Sequence, residues 1–206
     1  MLFAWILFCL LALAAHVGLG GTIPANLHLT PWYGLLVNYL TLFPLYLLLG
    51  GPLAEELGWR GYALPRLLTR HSALSAAVLL GVIWSCWHLP LFWIPNSGSG
   101  QGLGDFAWFL VQLTAVSVLF AWVYINTGGS LLLCVLGHAS FNVTTSYVLP
   151  ILPEEAKQGR PFALFSIILW LAVVLVVVLA GPARLSRKPP VRRADPVAVL
   201  TGLAVE

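Results

Sequence analysis

Six apolar runs, at about residues 2–19, 32–49, 72–93, 106–126, 130–149 and 162–180, contain no Asp, Glu, Lys or Arg. A transmembrane helix needs about 20 predominantly apolar residues. In hydrocarbon every backbone polar group must be satisfied within the structure, which favours helices. The sequence therefore predicts an all-α, polytopic membrane bundle of about six transmembrane helices. Ordinary soluble domains lie outside this range: 60% of the residues are hydrophobic and the mean hydropathy is +0.93. No internal repeat is present. A single membrane domain over 1–182, with a motif core at about 50–145, is expected, followed by a basic, disordered tail at 183–206.

The connections carry the turn chemistry. Residues 20–31 are rich in Gly, Pro, Asn and Thr, 95–105 read PNSGSGQGLGD, and 150–161 hold Glu154, Glu155, Lys157 and Arg160. Asn126-Thr127-Gly128-Gly129-Ser130 predicts a tight link between two spans. The first run lacks a basic region before it, so a transmembrane helix is preferred to a signal peptide. With both termini cytoplasmic, the inside segments hold Arg60, Arg66, Arg70, Arg184, Arg187, Lys188, Arg192 and Arg193, and the outside holds Lys157 and Arg160. That distribution follows the positive-inside rule. The basic tail suits anionic lipid at a cytoplasmic membrane surface, and no basic folded face accompanies it that would suit nucleic acid.

Against this background one stretch is anomalous. Glu55-Glu56-Leu57-Gly58-Trp59-Arg60 places three of the chain's 17 charged residues within six positions. An ionised side chain at bilayer depth costs roughly 2.5–3.5 kcal/mol on insertion scales, so such groups face a protein interior or a water-filled cavity. Gly50-Gly51-Pro52 breaks the preceding run, and Pro52 suits the first turn of a short motif helix over about 52–66 that enters the membrane partway. Glu56 and Arg60 are four apart, so they share a helix face and can pair. Glu55 lies off that face and is left as the reactive carboxylate.

Three further polar side chains lie inside apolar runs. His138 and Asn142 are also four apart, and together can donate hydrogen bonds to a developing oxyanion. His88 sits among Trp84, Trp87 and Trp93, just before Pro90. A carboxylate and a histidine can activate water as general base and partner. Glu55, His88 and His138 also form a two-His-one-carboxylate set of the kind that binds catalytic zinc. Spacing alone leaves the zinc and metal-free routes open. The alternatives are a non-catalytic immunity or binding protein that keeps the fold, and a small transporter, since buried Glu and His also relay protons.

Other hydrolytic signatures are absent or incomplete. No HExxH occurs, and Ser99 lacks the Gly-x-Ser-Gly setting of a membrane serine protease. Gly102-Leu103-Gly104-Asp105 matches GxGD, but the other aspartate, Asp195, is in the tail. Cys9, Cys86 and Cys134 are odd in number and far apart, so they are no disulfide framework.

Three ordered motifs carry a resemblance: EExxxR at 55–60, an aromatic-xxx-His from Trp84 to His88, and HxxxN from His138 to Asn142. The chain resembles the CPBP (CAAX-processing and bacteriocin-processing, or Abi) family of intramembrane endopeptidases, and its GWRGY, WHLPLFW and NTGGSLLLCVLGHASFN stretches look prokaryotic. Trp84 stands where that family usually has Phe; a packing change with no loss of chemistry is expected. The resemblance implies that Glu55 and His88 activate the water, that His138 and Asn142 form the oxyanion hole, and that Glu56 and Arg60 support the first motif. It implies a peptide or membrane-protein substrate, lipidated at its C-terminus if the eukaryotic relatives are a guide. Both a divalent metal and a metal-free glutamate mechanism are argued for the family.

Overall fold

The computed structural model describes residues 4–22, 32–95, 102–148 and 160–188. They form eight α-helices: α1 (Ala4–Gly18), α2 (Trp32–Leu49), α3 (Pro52–Glu56), α4 (Leu64–Leu67), α5 (Ala73–His88), α6 (Gly102–Asn126), α7 (Leu131–Val143) and α8 (Arg160–Ala180). A π-helical segment, Leu57–Ala63, joins α3 to α4, another, Thr144–Val148, extends α7, and a 3-10 turn, Leu89–Trp93, follows α5. No strand occurs among the described residues. The all-helical expectation therefore holds.

By length and composition, three helices are long and apolar enough to cross a membrane: Ala73–Trp93, Gly102–Asn126 and Ala163–Ala180. A fourth is gained if Leu36–Leu49 and Pro52–Leu67, bent by 50° at their junction, make one broken span. Ala4–Gly18 and Leu131–Ser146 are apolar but shorter. Each of the six predicted runs is thus helical, while the lengths support three or four spans. The motif helix also differs from its prediction: it pairs with α2 across the bend and contains the π segment. Gly51 makes the bend, with φ 95, a conformation only glycine adopts at little cost. Pro52 then starts α3 with its fixed φ and no N–H to orphan.

Local signals set the helix ends. Ser72 caps α5 by accepting from the Ser75 N–H, and Ser130 caps α7 by accepting from that of Leu133. Gly128 and Gly129, with φ 69 and 86, turn the chain from α6 into α7. Two boundaries differ from the sequence reading. Gly102–Asp105, expected as loop, forms the first turn of α6, and α8 begins at Arg160. The loop predictions at 23–31, 96–101 and 150–159 lie outside the described residues, as does the tail beyond 188.

The start of the expected tail is folded. Backbone carbonyls of Pro182 and Ala183 accept from the free N–H groups of Leu74 and Ala73 at the start of α5. Asn126 at the end of α6 donates to the Leu185 carbonyl, and Lys188 Nζ donates to the Asn126 carbonyl. Leu185 is buried by this fold-back. Arg66, Arg70, His71, Arg184, Arg187 and Lys188 are thereby gathered at one end of the bundle.

Helices α5 and α6 form the central pair. Ala73, Ala77, Gly81 and Ser85 recur every fourth residue and are all buried, giving α5 a flat stripe of small side chains. Small residues let backbones approach closely where lipid removes any hydrophobic drive between helices. Ser117 on α6 donates across the contact to the Ala77 carbonyl at 2.9 Å. A Cβ at Gly81 would lie 2.8 Å from the Thr114 Cα and 2.9 Å from the Ser117 Cβ. Gly81→Ala is accordingly expected to destabilise the bundle. Overpacking costs about 1–3 kcal/mol, against about 1 kcal/mol gained in helix propensity. A thermal melt in detergent checks the sign.

On the other side of the core, Trp5 of α1 is fully buried. Its indole N–H donates to the Gly137 carbonyl on α7 at 2.9 Å, and its ring meets Phe8, Phe120 and Phe141 edge-on. This pins α1 to the helix that carries His138.

Candidate active site

The motif helix, α5 and α7 converge on Trp84. This residue is 1% exposed and sits one turn before the end of its helix. Its indole Nε1–H donates to Glu55 Oε2 at 2.8 Å. Its ring faces the Arg60 guanidinium at 4.5 Å and meets the His138 ring edge-on at 5.1 Å. Its backbone carbonyl accepts from His88 Nδ1 at 2.9 Å. Glu55, Arg60, His88 and His138 are therefore all neighbours of one tryptophan.

The two glutamates are divided by it. Glu56 and Arg60 are fully buried and paired, with Arg60 Nη1 donating to Glu56 Oε1 at 2.8 Å. The same oxygen accepts from His138 Nδ1 at 2.9 Å, across 82 residues of sequence. Arg60 Nε and Nη2 have no hydrogen-bond partner among the described residues. The aromatic faces of Trp84 and Phe120, 4.5 and 4.8 Å from the guanidinium carbon, offset part of that cost through cation–π attraction. The predicted pairing of Glu56 with Arg60 is present, and it extends to a histidine the spacing could not reveal.

Glu55 is half-buried on the other side. While Oε2 takes the indole N–H, Oε1 lies over Gly51, where a Cβ would fall 2.5 Å away. The helix break and the carboxylate position therefore depend on the same glycine.

His88 closes α5 and is half-buried against Trp87 and Phe109, at ring distances of 4.8 and 5.2 Å. Because a carbonyl only accepts, the bond to Trp84 places the proton on Nδ1 and leaves Nε2 available. His138 is buried on α7, with Nδ1 committed to Glu56 and Nε2 left over. Asn142 follows one turn later, half-buried on the same helix. Tyr39 on α2 and Ser140 on α7 are hydrogen-bonded at 2.7 Å, tying α2 to this helix.

The zinc set considered from spacing is not assembled by this arrangement. Among the described residues, no three His, Cys, Asp or Glu side chains are grouped to hold a metal ion. As placed, Glu55, His88 and His138 do not form such a group.

A family model described as "Rce1-like: Type II CAAX prenyl endopeptidase Rce1-like" matches residues 37–144, which span all three motifs and the α2–α7 core. This chain belongs to the Rce1-like family. The CAAX prenyl protease 2 of Methanococcus maripaludis is 33% identical over 103 residues. That match takes in 48% of this chain and spans only 38% of the relative's length. The Rce1-like region contains every residue of the cluster around Trp84. The helices outside it, α1 and α8, pack against one another and around that core.

Sequence reasoning singled out Glu55, His88, His138, Asn142, Glu56 and Arg60 as candidates, and gave Trp84 no part beyond packing. Its signal was available in one respect: a tryptophan in place of phenylalanine brings an N–H into the core, and a buried indole N–H usually finds a partner.

Proposed function

We infer that this protein is an intramembrane endopeptidase that hydrolyses a peptide bond with water activated by Glu55 and His88. Family membership supports the reaction class. The carrying observation is the division of labour around Trp84, which leaves Glu55 outside the buried Glu56–Arg60–His138 network.

The steps use this chain's own groups. Glu55 takes a proton from a water molecule whose second proton is held by His88 Nε2. The water oxygen attacks the scissile carbonyl carbon, and the carbonyl π electrons move onto oxygen. Asn142 Nδ2–H and His138 Nε2–H donate to that oxyanion. Since His138 Nδ1–H is committed to Glu56, Nε2 donates only when the ring carries both protons, and the Glu56 carboxylate then faces that charge. Collapse of the tetrahedral intermediate expels the amine, which takes the proton from Glu55. Oxyanion donors of this kind are worth roughly 10²–10³ in rate each.

The names of the family and of the relative support a CAAX prenyl peptide as the proposed substrate class. On charge grounds the side bearing the basic cluster is assigned as the cytoplasmic one. The test is the full chain in liposomes, given prenylated and unprenylated CAAX peptides, with products read by mass spectrometry. Cleavage of the prenylated peptide is expected, with His88→Ala losing it. A folded wild-type protein that leaves every peptide intact would overturn the reading.

A further inference from the structure

Trp84 has two possible jobs. It fills the space between the motif helix, α5 and α7, and it bonds the carboxylate assigned as general base. The first job needs an aromatic ring; the second needs the indole N–H. The contacts separate the two. Arg60, His138 and Phe120 meet the ring, and Glu55 alone takes the N–H. Trp5, also buried, gives its N–H to a backbone carbonyl. At Trp84 the acceptor is an ionisable side chain, where a hydrogen bond is shorter and roughly twice as strong if the acceptor is charged.

A glutamate has three rotatable bonds, and no side chain on its own helix bonds the carboxylate of Glu55. Its fixed points are the indole N–H from α5 on Oε2 and, beneath Oε1, the backbone of Gly51 at the N-cap. His88 is tied to the same residue through its carbonyl. One side chain and its own backbone therefore set the positions of both water-activating groups relative to each other.

We propose that Trp84 is a positioning residue for hydrolysis, whose indole N–H holds the Glu55 carboxylate in register with His88. This rests on the function inferred above. It acts through Glu55 and not on substrate, so its loss lowers turnover more than binding. Misplacing a catalytic group by about 1 Å costs on the order of 10²-fold in rate.

The test compares wild type, Trp84→Phe and Glu55→Gln in liposomes with the prenylated peptide. Phenylalanine keeps a ring against Arg60 and His138 and removes the donor. The expected result is a fall in kcat of about 10- to 100-fold with KM within about threefold. A melt in detergent accompanies it. Should Trp84→Phe fail to fold, benzothienylalanine at position 84 replaces the N–H by sulfur at nearly constant shape and carries the same expectation. Wild-type kcat in the folded variant, with Glu55→Gln inactive, overturns the proposal and leaves Trp84 a packing residue. Wild-type activity in Glu55→Gln overturns the underlying function and the proposal with it.

Discussion

Glu55→Gln should abolish peptide cleavage while leaving the bundle intact. A glutamine at this position still offers an oxygen to the Trp84 indole, so the hydrogen bond that places the side chain at 2.8 Å is retained in kind. The group can no longer accept a proton from water. General-base catalysis is worth about 10²–10⁴ in rate, and the loss in kcat should lie toward the top of that range because, in the proposed mechanism, the same carboxylate returns the proton to the leaving amine. Glu55 is half-buried and outside the buried ion pair, so the melting temperature should change little. Single-turnover cleavage in liposomes, paired with a melt, reads both quantities. Equal rates in wild type and Glu55→Gln would remove Glu55 from the chemistry.

The neighbouring glutamate should behave in the opposite way. Glu56→Gln is expected to destabilise the protein strongly, because it leaves Arg60 buried at 0% exposure without a countercharge. Removing one partner of a buried pair costs about 3–5 kcal/mol. At about 2–4 °C per kcal/mol for a chain of this size, the melting temperature should fall on the order of 10 °C. A second substitution makes the cause visible. Arg60→Met in the Glu56→Gln background removes the stranded charge, and should recover part of the lost stability because an apolar replacement of a buried pair is often neutral. Activity should not return with it. His138 Nδ1 has lost the carboxylate that orients it, and with that the placement of Nε2. A double variant no more stable than Glu56→Gln alone would show that the ion pair is not what the fold depends on.

The opposed outcomes for adjacent glutamates follow from the fold. Both carboxylates are on one short helix, yet one contacts α5 and the other contacts α7. The π-helical turn from Leu57 to Ala63 lies between Glu56 and the end of the motif helix, and Arg60 is its one buried residue. π turns are rare and are frequently found at functional sites. Here the turn carries the cation that fixes Glu56.

Periodicity along the chain was enough for the helical class, the helix break at Gly50–Pro52, the Glu56–Arg60 pair and the shared face of His138 and Asn142. Each of these depends on residues within one turn or on a continuous apolar run, so local geometry decides it. The folded start of the tail was not legible, because its hydrogen bonds go to Ala73, Leu74 and Asn126, far away in sequence. The same limit applied at the site. Helical spacing gives the direction of a side chain around its own axis and says nothing of what the next helix places there. That His138 answers to Glu56, that Glu55 is held by an indole, and that the three candidate metal ligands do not group were all decided by how α3, α5 and α7 pack. The close approach of α5 to α6 through Ala77 and Gly81 helps set that packing, since only small side chains allow it.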